Sequence, residues 1–231
     1  MNIKILHMVE GARKATGITV IIDVFRAFTV EAYLMKNGAD KIIPVGEVET
    51  AFDIKKNNEN TILIGERHGK IVPGFDYGNS PSQIENVDFK NKIVVHTTSA
   101  GTQGIANAKN ADVILTGSLV NAKAIANYIL KNNYQDISLV CMGLDGKEET
   151  DEDNLCAYYI KSLLEKKPIE LKEEIEKLKK TSGRKFFDPS LQDIFPEKDF
   201  FLSTEVDKFN FVLKLEKEEN DDFNYIRKIN M

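Results

Sequence analysis

Val20-Ile21-Ile22-Asp23-Val24-Phe25-Arg26-Ala27 reads as a β-rich apolar run, led in by Thr19, that ends on a carboxylate. An arginine stands three residues later, where a helical pattern begins. This is a strand delivering charge at its end. In an open α/β sheet the carboxyl ends of the strands are where ligands bind, because loops and helix N-termini converge there. Asp23 as a cation ligand and Arg26 as an oxyanion ligand together suit a phosphate with its metal. An Asp N-cap followed by a surface arginine fits the same letters, and both readings stay open on this stretch alone.

Working outward, the same theme repeats over the first two thirds of the chain: a short β-branched run, a polar or glycine-bearing break, then a helical stretch. Strands are predicted over 3–6, 19–24, 41–45, 61–64, 93–95, 113–115, 137–142 and 210–215. Helices are predicted over 27–36, 48–56, 121–131, 151–165 and 169–180, with short ones from Ser80-Pro81 and up to Ala108. The segment 11–17 reads as a loop, 70–80 as a long glycine-rich loop of the kind that carries function, and 181–196 as irregular. The Lys/Glu/Asn/Asp-rich end reads as surface. The pattern predicts a three-layer helix-sheet-helix α/β fold with a mostly parallel or mixed sheet. It suits a single domain over 1–231 or two closely packed α/β lobes.

A length of 231 residues is enough for a full core. Lys plus Arg is 31 against 36 for Asp plus Glu, a formal charge of -5, which gives no electrostatic reason to expect nucleic acid or an anionic membrane as partner. Cys141 and Cys156 lack metal-type spacing and read as reduced thiols. No signal-peptide layout and no uncharged run near the length of a membrane span is present. The expectation is a soluble, cytoplasmic protein.

Further charged or hydroxyl-bearing blocks sit at predicted strand ends. Gly65-Glu66-Arg67-His68-Gly69 follows one strand, and Thr97-Thr98-Ser99-Ala100-Gly101-Thr102 offers an oxyanion cradle after another. In Gly74 to Pro81 the glycines allow a tight loop to present Asp76. Ser118 with Asn121, and Ser99 or Thr102, also read as ordinary caps, and acids such as Asp151 in a first helical turn are favoured by the helix dipole whatever the function. Cys156 reads as a buried small apolar group. His7, His68 and His96 share no ligand spacing, although His68 and His96 stand at strand ends where acid/base work is done.

Together these blocks resemble the magnesium-dependent 2-phosphosulfolactate phosphatases, the ComB-like family. Ile22-Asp23-Val24-Phe25-Arg26-Ala27 resembles that family's Ile-Asp-Val-Leu-Arg-Ala, and Gly65-Glu66-Arg67 its Gly-Glu-Arg. Gly74-Phe75-Asp76-Tyr77-Gly78-Asn79-Ser80-Pro81 resembles its Gly-Phe-Asp-x-Gly-Asn-Ser-Pro. The threonine-rich turn at 97–102, Gly117-Ser118 with Asn121-Ala122, and Glu152-Asp153-Asn154-Leu155-Cys156-Ala157 are similar to its remaining blocks. The likeness fades in the C-terminal third, where Gly183-Arg184 and Asp193-Ile194 are faint echoes. Ala100 stands where the family often has Asn, and Asn154 where it often has Thr, changes that would alter hydrogen bonds to substrate.

The resemblance implies hydrolysis of 2-phosphosulfolactate to 3-sulfolactate and phosphate on the route to coenzyme M, and a homodimer. It implies Mg²⁺ held by Asp23, Glu66 and Asp76, with Arg26 beside them in the catalytic set. Substrate contacts would come from Arg67, Asn79, Ser80, Thr97, Thr98, Ser99, Gly101, Thr102, Ser118, Asn121, Glu152 and Asp153. A rival reading is a non-catalytic binder of a small phosphorylated or sulfonated metabolite. Several buried acids argue against it, because a pure anion binder has no use for them without a metal.

Overall fold

A computed structural model describes residues 1–167, 169–217 and 222–231. The apolar run after Gly17 is buried on both faces, as a central parallel strand must be. In chain order the first half holds β1 (Asn2–His7), α1 (Met8–Lys14), β2 (Gly17–Ile22), α2 (Ala27–Lys36), β3 (Lys41–Pro44), α3 (Val48–Asn57), β4 (Thr61–Arg67), β5 (Lys70–Ile71), α4 (Pro81–Ile84) and β6 (Ile93–Thr97). The second half holds α5 (Gly101–Asn107), β7 (Ala111–Gly117), α6 (Ala122–Lys131), β8 (Asp136–Cys141), α7 (Asp151–Leu164), α8 (Lys172–Leu178), α9 (Glu197–Ser203), β9 (Phe211–Glu216) and β10 (Tyr225–Asn230).

The strands form one mixed sheet in the order β1-β8-β2-β7-β9-β10-β3-β6-β4-β5. β1, β8, β2 and β7 are mutually parallel, and so are β3, β6 and β4. Between the two blocks lies the β9–β10 hairpin, antiparallel to β7 on one side and to β3 on the other. The three reversals make the blocks run in opposite directions within the sheet. Six strand steps separate β2 from β4. At the usual twist these accumulate to roughly 120–150°, which swings the carboxyl ends of the two blocks back toward each other.

The sheet coils around α2, whose residues Ala27 to Met35 are all buried. Phe28, Val30 and Leu34 of α2 share a core with Ile21 and Val140 of one block and Ile42, Ile64 and Val94 of the other. A second core lies under α6 and α7, and a third under α3. Helices therefore cover both faces, as the α/β reading expected.

Four segments depart from that reading. The expected loop over 11–17 is largely α1, where the small residues Gly11 and Ala12 are buried. The acidic start of α9 hid a helix that buries Phe200 and Leu202. Within the irregular stretch, 181–196, short 3-10 turns form at Arg184–Phe187 and Pro189–Leu191. The polar C-terminal end, read as surface, supplies β10, which is central because Tyr225 and Ile226 are buried between β9 and β3. Residues 218–221 of that end lie outside the described residues.

One polar network crosses the core. Glu31 of α2 is fully buried, with Oε1 3.1 Å from His96 Nδ1 on β6 and Oε2 accepting from Thr116 Oγ1 on β7 at 2.9 Å. It links α2 to both parallel blocks. Replacing Glu31 with Ala strands two buried polar partners and is expected to destabilise the fold by about 3 kcal/mol in denaturant titrations. An unchanged midpoint would show that the network contributes nothing.

Candidate active site

Where the two sets of strand ends meet, a cavity of about 370 Å³ opens, lined by Asp23, Arg26, Glu66, Asn79, Ser99, Ala100, Glu152 and Lys185 among others. This is within the size range of small-molecule sites. Asp23 follows β2, and its Oδ1 accepts from Ala27 N–H at 3.1 Å, so it caps α2 while lining the cavity. The cap reading of Asp23 is thus realised, and the same side chain lines the cavity. Gly101, at the start of α5, has no Cβ because one would stand 3.0 Å from Asp23 Oδ2.

Glu66 comes from the other block, at the end of β4. Its Oε1 accepts from Ser99 N–H at 2.7 Å, and its Oε2 from Gly69 N–H at 2.7 Å. Gly69 and His68 both have positive φ and form the two-residue turn between β4 and β5, which only a type I′ geometry allows. Glu152, in the first turn of α7, is buried with Oε2 free of any hydrogen bond.

The acids load the cavity with negative charge. Burial, then the charges of Glu66 and Glu152, push the Asp23 pKa up to about 7. Burial also raises Glu152, and raises Asp153 well above the carboxylate range with help from Glu152 and Asp23. Two cationic side chains line the same cavity. Arg26 is buried, its Nη1 donating to Asp199 Oδ2 at 2.7 Å and to the Ile194 carbonyl at 2.9 Å. It is not the surface arginine of the alternative reading. Lys185 is half-buried, and burial lowers its pKa.

The donors suit a hard cation. Asp23 and Glu66 offer carboxylate oxygens in one cavity, and Mg²⁺ needs only one or two of these beside waters and phosphate oxygens. A cation would also relieve the repulsion that raises Asp23. Among the described residues no three His, Cys, Asp or Glu side chains cluster closely enough to make an all-protein metal cage.

Residues 4–218 match the family model described as 2-phosphosulpholactate phosphatase. The chain belongs to this family. A relative named probable 2-phosphosulfolactate phosphatase from Carboxydothermus hydrogenoformans is 38% identical over 75% of this chain and 72% of its own length. One of the same name from Thermoplasma volcanium is 33% identical over 82% of this chain and 88% of its own length.

Of the residues that the family blocks single out, Asp23, Arg26, Glu66, Asn79, Ser99 and Glu152 line the cavity. Asp76 does not join them. Its Oδ2 accepts from Leu63 N–H at 2.8 Å and from Lys55 Nζ at 2.5 Å, which pins the loop to the middle of β4. Leu63 is three residues before Glu66, about 10 Å along a strand. Arg67 is turned aside, donating to the carbonyls of Glu66 and Gly46 and to Thr97 Oγ1. Thr98 and Thr102 cap each other reciprocally, and Asn121 Oδ1 accepts from Ser118 N–H. Asp153 braces the site from behind, accepting from Val24 and Gly143 N–H at 2.8 Å each. Ser80 donates to Asp199. Asn154 lies on the outer side of α7 with Tyr158 and Glu174, away from the cavity, so its departure from the family pattern touches no substrate contact there.

His96 is spent in the core, and His68 stands at the cavity mouth with Nδ1 3.3 Å from Asp145 Oδ2. Cys156 is buried, and burial followed by the Asp153 charge pushes its thiol pKa far up, the opposite of a nucleophile's need. Lys185, Ser182 and Asp199 escaped the sequence reading. They lie in the segment where the likeness fades, and a lone buried acid on an amphipathic helix carries no local signal.

Because the Asp23 pKa is raised, the unfolded chain gives up this proton at lower pH than the folded one. Stability is lost as pH rises from about 4 to 7. Asp23→Asn keeps an acceptor for Ala27 and is expected to stabilise the metal-free protein, by roughly 1–3 kcal/mol at pH 8 and much less at pH 4, with a matching rise in melting temperature. A pH-independent shift in thermal scans would contradict the burial argument.

Proposed function

We propose that the protein is a Mg²⁺-dependent phosphatase that hydrolyses 2-phosphosulfolactate to 3-sulfolactate and phosphate, a step toward coenzyme M. The observation that carries this reading is the single cavity in which Asp23, Glu66 and Glu152 face Arg26 and Lys185. The shared name of the relatives supports the choice of ester. In this reading Asp23 and Glu66 hold the metal, which when bound supplies positive charge against the phosphoryl oxygens. Arg26, fixed by Asp199, adds a guanidinium whose position does not depend on substrate.

The leaving group is the alkoxide of a secondary alcohol, a poor leaving group unless it is protonated as the P–O bond breaks. Glu152 meets that need. Its Oε2 is unpaired in the cavity wall, and burial favours the neutral acid. It delivers its proton to the bridging ester oxygen. Phe25 and Phe195 form apolar walls on the same cavity and limit the water around the reacting atoms.

Phosphate release from 2-phosphosulfolactate tests the assignment. Glu152→Gln is expected to lower kcat about a hundredfold on this ester, and far less on p-nitrophenyl phosphate, whose leaving group needs no proton. Equal losses on both esters would remove Glu152 from the proton-donor role. A wild-type protein inert toward 2-phosphosulfolactate would overturn the substrate.

A further inference from the structure

The cavity holds more polar capacity than metal and phosphate would use. Part of its wall comes from the C-terminal segment that folds over the strand ends, and three donors stand uncommitted there and at the neighbouring N-cap of α7. Lys185 makes no hydrogen bond or ion pair among the described residues, and its Nζ lies 5.1 Å from the centroid of the Phe195 ring and 5.6 Å from that of Phe186. Ser182 Oγ and Thr150 Oγ1 are buried without partners and line the same cavity. Desolvated donors with nothing to bind cost stability, so their convergence calls for an acceptor that arrives with the ligand.

Neighbouring groups do not supply it. The Ser182 and Thr150 hydroxyls and the Lys185 charge all favour the ionised form of Glu152, the hydroxyls as donors turned toward it, yet neither hydroxyl nor Glu152 Oε2 reaches a partner at hydrogen-bond distance. A lysine kept only to neutralise Glu152 has a flexible four-carbon stem and would close to contact. The aromatic rings instead hold the ammonium in place through cation–π attraction. Arg26 is held by Asp199 and the Ile194 carbonyl through Nη1, and the proposed reaction assigns its remaining donors to the phosphoryl end. His68 is exposed and faces Asp145.

We infer that Lys185, with the Ser182 and Thr150 hydroxyls, forms a subsite for the anionic group of the substrate that is not transferred, a sulfonate or a carboxylate. The inference rests on the phosphatase reading for its substrate, and it adds a division of the cavity. Asp23, Glu66 and Glu152 serve the phosphoryl end, while the donor set of Lys185, Ser182 and Thr150 selects what the ester carries beyond it. Esters with no second anion leave these donors unpaired and are disfavoured.

The test is calorimetric binding of 3-sulfolactate, malate and lactate, with Mg²⁺ present, to the wild type and to Lys185→Met, Lys185→Arg and Ser182→Ala. Lys185→Met is expected to weaken 3-sulfolactate by roughly 10- to 100-fold with its melting temperature retained, Lys185→Arg to recover part of this, and Ser182→Ala to lose several-fold. A loss for 3-sulfolactate and malate but not lactate assigns the group at the third carbon to Lys185. An equal loss for all three assigns the shared carboxylate. Either result supports the subsite. Wild-type affinity in Lys185→Met, or no 3-sulfolactate binding by the wild type, overturns it. Binding that depends on Lys185 in a protein unable to hydrolyse the 2-phosphate ester would keep the subsite and overturn the phosphatase reading instead.

Discussion

The buried ion pair between Arg26 and Asp199 is the contact on which the site's shape depends. Arg26 opens α2 directly after the strand that carries Asp23, and Asp199 lies on α9 in the C-terminal segment. Asp199 Oδ1 also accepts from Ser80 Oγ and Ser82 N–H, while Arg26 reaches the carbonyls of Ile194 and, at 3.4 Å, Gly69. One pair therefore fastens the loop before α4, the β4–β5 turn and the C-terminal wall to the end of β2. Two charges taken out of water repay their desolvation only when further hydrogen bonds support them, and here both Asp199 oxygens and Arg26 Nη1 have partners. Without the pair the wall that carries Lys185 and Ser182 has little polar attachment to the strand ends.

Against this anchored frame the acid cluster is a cost. Asp23, Glu66 and Glu152 are buried close enough for their charges to interact, and burial first, with that repulsion added, pushes the Asp23 pKa up to about 7. A core chosen for stability alone would not keep them. Their persistence in a cavity, beside a lysine that bonds none of them, is the pattern expected where a metal and an anionic ligand complete the electrostatics. Glu31 makes a contrast. It is equally buried, but His96 and Thr116 satisfy both its oxygens, and its task is to join α2 to the two blocks.

Much of this was legible in the chain. The period of the β-branched runs located eight of the strands, and Asp23 and Arg26 after β2 do stand in one cavity with Glu66 near the end of β4. What the sequence could not convey was direction. Asp76 and Arg67 belong to blocks as strong as the one that holds Asp23, but their side chains turn to Leu63, Lys55, Gly46 and Thr97, and only backbone geometry decides that. Thr98, Thr102, Ser118 and Asn121 proved to serve helix and turn caps, the use their chemistry equally allows. Lys185 and Asp199 were hidden because they act from a distant, irregular part of the chain, where no periodicity marks a residue that folds back over the sheet. β10 was missed because half its residues are polar and the strand that covers its other edge, β3, lies far away in sequence.

The central claim is that Asp23 and Glu66, delivered by oppositely directed halves of one sheet, hold a common Mg²⁺. The most direct measurement is the Mg²⁺ dependence of phosphate release from 2-phosphosulfolactate by the wild type, Asp23→Asn and Glu66→Gln, with chelator as the zero point. The account predicts no turnover in chelator and, for both variants, at least a tenfold higher Mg²⁺ requirement together with a lower limiting rate. Turnover that survives chelation, or a Mg²⁺ curve in either variant that overlays the wild type, would contradict it.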